Sequence, residues 1–186
     1  MNGGRVQRTD SMLCDFHIHT SSSDGDLPVR DVIDLFGREG FDAVAITDHV
    51  VDAGTRAGFE AGGGRPWWVS EEQFTGYLRT LWAEARRAWE KYSMLVIPSI
   101  EITNETAGYE ILALDIKEYV DPSLPVEAIV QGIHDQGGIA IASHPHRAPV
   151  PGRTHPRFLW AGTSSTPSCS THGRSRIVTT CSMSPA

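Results

Sequence analysis

Hydrophobic and polar positions along the chain form short blocks that predict strands and helices in alternation. Five runs rich in apolar residues predict strands over 12–19, 42–49, 94–102, 109–116 and 139–144. Helical spacing of apolar residues predicts helices over 28–39, 70–91 and 124–136. The glycine-rich segment 50–69 is predicted to be a long loop. Because the strands mostly alternate with helices, the pattern favours parallel β/α units, with only the third and fourth strands adjoining directly.

The amphipathic pattern ends near residue 157 and divides the chain into three parts. Residues 1–11 are predicted to be a flexible leader, and 12–157 to be one α/β domain. Residues 158–186 are polar and of low complexity, which predicts a disordered tail. A hydrophobic content of 40% and a charged content of 21% are typical of a soluble globular protein.

The charge of the chain is unevenly distributed. Residues 1–135 contain 11 basic and 23 acidic residues, a net charge of −12, whereas 136–186 contain five arginines and no acid. The overall net charge of −7 argues against a nucleic-acid binder that works through a basic surface. The sequence has no stretch of signal-peptide or membrane-spanning character, and its three cysteines are scattered, so we expect a cytoplasmic protein without a membrane partner.

Histidine and carboxylate residues follow the predicted strands at their carboxyl ends. His17 and His19 are two positions apart, so both rings point to the same face. The strand ends and the first loop supply the other members, which are Asp24, Asp48, His49, Glu101, His144 and His146. In a parallel barrel these ends meet at one mouth, and mixed His and carboxylate ligands suit Zn, Mn or Fe ions. The pattern therefore predicts a metal cluster in which Glu101 is suited to bridge two ions.

Four segments carry a family resemblance, in the same order and spacing. They are 15–25 (DFHIHTSSSDG), 46–49 (ITDH), 98–103 (PSIEIT) and 143–145 (SHP). Together they resemble the polymerase and histidinol phosphatase (PHP) metallohydrolase domain, over about residues 12–147. The resemblance implies an incomplete, distorted (β/α)7 TIM-like barrel. It also implies two or three divalent metal ions and hydrolysis of phosphate esters, with a small phosphorylated substrate or a nucleotide as partner.

The resemblance also implies roles for individual residues. The positions that match metal ligands are His17, His19, Asp24, His49, Glu101 and His144. Asp48 is expected to orient His49, and Asp15 to have a structural or supporting role. Members often carry a ligand histidine where this chain has Glu110, which is a possible ligand of different charge and reach.

Two residues beyond the His-Pro motif each have two alternative roles. His146 is either a further ligand or an exposed loop residue. Arg147 either holds a substrate phosphate or is a surface charge.

The carboxyl-terminal part departs from the family pattern. The family closes its barrel with further strands and a late Asp-x-His ligand pair, but Asp135 is the last aspartate of this chain. Permitted codons for residues 171–183, regrouped in another frame, encode AWEIANRDDLFN, which resembles the segment that follows the His-Pro motif in one PHP branch. We therefore hypothesise that the chain is truncated by a frameshift near residues 158–163. The alternative is a natural disordered tail.

Three functions are compatible with these residues. The first is a metal-dependent phosphoesterase, with water or another hydroxyl as phosphoryl acceptor and with an activity that loss of the late ligands would impair. The second is a non-catalytic truncated product that at most binds metal. The third is an amidohydrolase-type C–N hydrolase, because that barrel also begins with His-x-His; the loop 22–25 and the Glu101 motif favour the first.

Overall fold

A computed structural model describes residues 11–62 and 66–144, and the backbone of Val178–Thr179. The strands in these residues are β1 (Cys14–Ile18), β2 (Ala43–Ile46), β3 (His49–Val51), β4 (Leu95–Asn104), β5 (Tyr109–Leu114), β6 (Ile139–Ser143) and β7 (Val178–Thr179). The helices are α1 (Val29–Glu39), α2 (Ala53–Ala61), α3 (Glu71–Tyr92) and α4 (Val126–Asp135). The predicted α/β class is confirmed in this part of the chain.

The strands form a mixed sheet that curls into a half-barrel. Its order is β1-β2-β4-β5-β6-β7, and β3 pairs with β4 beyond the end of β2. β1, β2 and β4 are parallel, but β5 is antiparallel to both β4 and β6. The expectation of parallel units is therefore wrong at β5. A short turn joins β4 directly to β5, and such a connection makes a hairpin, whereas a parallel pair needs a long crossover.

The predicted strand 42–49 is divided into β2 and β3. Ile46 lies opposite Pro98 and His49 lies opposite Glu101, so both pieces follow the same edge of β4 in one register. Thr47 interrupts the ladder because its N–H donates to the carbonyl of Ile18 at 2.7 Å. The shared register places His49 beside Glu101, and the side chain of Asp48 hydrogen-bonds to the loop that follows β1.

Helix α2 lies within the segment that the sequence predicts to be a loop. Asp52 caps this helix by accepting hydrogen bonds from the N–H groups of Gly54, at 2.9 Å, and Thr55, at 3.2 Å. Two glycines and an exposed, weakly apolar surface hide the helical pattern in the sequence. The Asp52 cap is the local signal that marks the start of the helix.

The other helices lie where the apolar spacing predicts them. Gly40, with φ of 83°, ends α1 in the left-handed conformation that glycine adopts readily. Ser70 and Gln73 form a capping box at the start of α3. These helices and α4 bury apolar side chains against the sheet, including Ile33, Leu81, Ile129 and Ile133. In the part of the chain that the structure describes, no helix is long and apolar enough to cross a membrane.

Strand β7 lies in the segment for which the sequence predicts no regular element. Its backbone pairs in parallel with β6, placing Val178 opposite Ile141 and Thr179 opposite Ala142. Two residues carry too little periodicity to predict a strand, because period-two alternation needs several positions. The remainder of 158–186 lies outside the described residues, as do the leader positions 1–10.

Candidate metal centre

Strand β1 brings two imidazole rings to the mouth of the half-barrel. The rings of His17 and His19 have centroids 5.0 Å apart, as the alternation of side chains along a strand predicts. The N–H of His17 donates to Asp15 Oδ1 at 3.1 Å, so Asp15 supports the end of the strand. Both histidines therefore face the site that the sequence predicts.

Glu101 is the centre of the site. It lies on β4, and its side chain is only 1% exposed. Its Oε2 lies 3.1 Å from His17 Nε2, 3.3 Å from His19 Nε2 and 3.4 Å from His49 Nδ1. Its Oε1 lies 3.8 Å from His144 Nε2. One buried carboxylate is thus surrounded by four imidazoles that are carried by the ends of three strands, β1, β3 and β6.

The side chains form two groups of three potential ligands. Within each group the ligand atoms lie within 4.8 Å of one another. The first group is His17, Glu101 and His144, and the second is His19, Asp24 and His49. Glu101 contacts the histidines of both groups, which is the position that a bridging carboxylate requires. All six ligands that the family resemblance implies are therefore close together.

The loop after β1 positions Asp24, and Asp48 anchors this loop. The buried Asp48 carboxylate accepts hydrogen bonds from Thr20 N at 2.7 Å, Thr20 Oγ1 at 2.8 Å and Ser23 Oγ at 2.6 Å. A Cβ atom on Gly25 would lie 2.5 Å from the carbonyl oxygen of His19, so only glycine fits there. The loop is thereby held against the metal-facing end of β1.

Thr103 lies against the His49 ring, and the expected role of Asp48 in orienting His49 stays a prediction. His49 Nδ1 lies 2.9 Å from Thr103 Oγ1, which is on the neighbouring strand β4. The Asp48 carboxylate accepts hydrogen bonds from the loop 20–23, while the Asp48 carbonyl accepts one from the N–H of Glu101 on β4 at 3.1 Å. The sequence does not single out Thr103 as a partner of His49, because a threonine at this position is also typical of any buried strand.

The antiparallel direction of β5 places Glu110 at the mouth. Glu110 lies opposite Thr103 on β4 and Ser143 on β6. Its Oε2 is 4.0 Å from His144 Nε2, although Glu110 belongs to neither group of three. His144 has φ of 46°, a left-handed conformation that is uncommon for a non-glycine residue and recurs at functional sites.

Electrostatics keep Glu101 ionised and distinguish the histidines. Burial raises the pKa of Glu101, but hydrogen bonds from His17 and His19 outweigh it and hold this pKa well below its usual range. Burial lowers the pKa of His19, but the hydrogen bond and charge of Glu101 outweigh it, and the net pKa is raised. For His49, burial dominates and the pKa is lowered, which favours a neutral ring.

The donor set and its unsatisfied atoms fit divalent cations. Glu101 Oε1 and His19 Nδ1 are buried and make no hydrogen bond. Buried polar atoms of this kind carry a free-energy cost unless another partner satisfies them. Imidazole nitrogens with carboxylate oxygens are ligands that Zn, Mn and Fe accept. Two further candidates, His146 and Arg147, lie outside the described residues.

Comparison with known proteins identifies one informative structural relative. Neither a protein-family model nor a curated protein sequence matches the chain. A solved two-domain protein from Bacteroides vulgatus ATCC 8482, which contains a predicted PHP-like metal-dependent phosphoesterase, is similar with a TM-score of 0.51 and 25% identity. The similarity covers 73% of this chain and 35% of that chain, so this chain spans little more than a third of the relative. The half-barrel is thus similar in architecture to a PHP-like protein.

Proposed function

We propose that the chain is a metal-dependent hydrolase of phosphate esters, of the PHP type. The observation that carries this proposal is the buried Glu101 carboxylate, which lies between two groups of three potential ligands. The structural similarity to a PHP-like protein supports the same reaction class. The substrate class that we propose is a small phosphorylated molecule or a nucleotide.

The residues of the chain would hold two cations, one in each group. The chemistry supplied by bound divalent cations is Lewis-acid activation of a phosphoryl oxygen and of water. Glu101 contributes the negative charge that both groups share. With Nδ1 protonated and donating to Thr103 Oγ1, His49 presents the lone pair of Nε2 towards Asp24, whose Oδ1 is 3.6 Å away. In this tautomer Thr103 Oγ1 would accept the Nδ1 proton, and Nε2 would be the nitrogen that binds a metal.

The substrate would approach from the solvent side of the site. Asp24 and His144 are the most exposed ligands, with 53% and 43% of their side chains accessible. Glu101 is the least exposed and forms the floor of the site. Asp24 and His144 would therefore be the ligands that an entering phosphoryl group meets first.

The experiment is phosphate release by purified protein loaded with Zn, Mn or Fe, using small monoesters and nucleotides. We expect His17→Gln to abolish release, whereas the matched control His134→Gln, on α4 and outside the site, retains it. Metal binding without phosphate release in any of these substrates would favour the non-catalytic alternative. Hydrolysis of cyclic amides in place of phosphate esters would favour the amidohydrolase alternative.

A further inference from the structure

Aromatic side chains border the metal centre on one side. The Trp67 ring lies perpendicular to the His49 ring, with centroids 4.9 Å apart. Phe59 on α2 lies 6.4 Å from Trp67 and 5.5 Å from Trp68. The two tryptophan rings are themselves 5.9 Å apart and perpendicular. The four rings therefore form one continuous cluster that begins at a candidate ligand.

The backbone holds Trp67 in this position. Val69 N–H donates to the carbonyl of His49 at 2.8 Å, so the segment 67–69 runs beside β3. Trp68 is buried and anchors the same segment in the structure. Trp67 and Phe59, in contrast, are only half-buried. Two large aromatic rings are thus fixed at the edge of the site while part of their surface still faces solvent.

We propose that Trp67 and Phe59 form an aromatic subsite for the leaving group of the substrate, which rests on the proposed function above. An ester whose phosphoryl group is held beside His49 can place its leaving group against these rings, because Trp67 packs directly on His49. A planar, uncharged ring would pack on them by offset or edge-to-face contact and bury their exposed surface. The substrate class is therefore a phosphate ester with an aryl group or a nucleobase in its leaving group.

The test is calorimetric titration of zinc-loaded protein with three non-hydrolysable phosphonates. These are methylphosphonate, phenylphosphonate and a 5′-phosphonate analogue of AMP. We expect a ring-bearing ligand to bind about tenfold more tightly than methylphosphonate. The two ring-bearing ligands distinguish an aryl group attached directly to phosphorus from a base that is separated from it by ribose.

The Trp67→Ala variant should lose affinity for the two ring-bearing ligands about tenfold more than for methylphosphonate, which erases the preference. Phe59→Ala should weaken the preference about threefold, and Trp67→Phe should retain most of it. Trp67→Phe also serves as the informative variant if Trp67→Ala does not fold. The control is Trp89→Ala, on α3, whose ring is 62% exposed and outside the cluster.

Three results would overturn the subsite. They are equal affinity of the wild-type protein for all three ligands, an equal loss for all ligands in Trp67→Ala, and a ring preference that survives this substitution. The last result would mean that the ring of the ligand binds elsewhere, for example in the cavity of about 450 Å³ lined by Ser22, Trp68 and Tyr77. Failure of the proposed function has a different signature, since then no phosphonate binds to the zinc-loaded wild-type protein.

Discussion

At the scale of residues, Glu101 explains most of the site. A carboxylate that is only 1% exposed is costly unless it is paired, and the surrounding imidazoles pair it. The sequence predicts Glu101 and the His17–His19 pair because strand alternation fixes which side chains share a face. It does not predict Thr103 or Trp67 as neighbours of His49, because these contacts depend on the register of β3 and on the segment beside it.

Replacement of Glu101 tests its central position. Glu101→Gln keeps the shape of the side chain but removes the charge that both ligand groups share. We expect the affinity for Zn or Mn to fall at least about tenfold, measured by titration with a competing chelator. Glu105→Gln, in the exposed turn just after β4, is the matched control and should bind metal like the wild type. Equal affinities in the two variants would contradict the role given to Glu101.

The raised pKa of His19 predicts the pH dependence of metal binding. A ligand imidazole must be neutral, and the metal-free His19 holds its proton to a higher pH than the usual 6.5. As the pH is lowered from alkaline values, metal affinity should therefore begin to fall before the pH reaches 6.5. Burial lowers the pKa of His49, so protons compete less with a metal ion for that ring. A metal affinity that does not change between pH 8 and 6, measured by calorimetry, would contradict this pH dependence.

At the scale of elements, loops and breaks bring the ligands together. The loop 20–25 carries Asp24 to the second group, and the pairing of β3 with β4 places His49 beside Glu101. The direction of β5 brings Glu110 to the same mouth. Apolar spacing predicts α1, α3 and α4 because burial of one face recurs every three to four residues, but it misses α2, which buries no residue. It does not predict the break in the second strand, which depends on pairing with distant segments, and the direction of β5 follows from the short turn after β4 rather than from apolar spacing.

Gly25 tests whether the loop must pack closely against β1. Gly25→Ala would force a Cβ atom against the His19 carbonyl, so we expect a loss of about 1–3 kcal/mol in the free energy of unfolding and weaker metal binding. Gly76→Ala, inside α3 with open space around it, is the control. It should stabilise the protein by about 1 kcal/mol because alanine favours helix. Denaturant unfolding of both variants provides the comparison, and a Gly25→Ala protein as stable as the wild type would refute the tight loop.

At the scale of the whole molecule, the described residues form a half-barrel whose strand ends converge on one site. The chain spans little more than a third of its structural relative, so the complete activity and substrate range are proposals. The acidic residues all lie within 1–135, the part that contains the motifs up to Glu101 and Glu110. The predicted truncation and frameshift after residue 157 stay predictions, and the nucleotide sequence across 158–163 is the observation that tests them.

Thermal unfolding shows whether this half-barrel behaves as a folded metalloprotein. Ligands that bind only the native state stabilise it, by about 2.7 kcal/mol at a free concentration 100 times Kd. We expect a single cooperative transition that moves to higher temperature when Zn or Mn is added. His17→Gln should reduce this shift. A broad transition that metal does not move would favour the alternative of a non-catalytic truncated product.

The most direct test of the two-metal site is the number of metal ions bound per chain, measured by elemental analysis after dialysis against Zn or Mn. The two groups of three ligands predict two ions in the wild-type protein. His17→Gln and Asp24→Asn, one from each group, should each lose one ion and retain the other. A metal content near zero in the wild-type protein, or a metal content that neither substitution changes, would contradict a site for two metal ions.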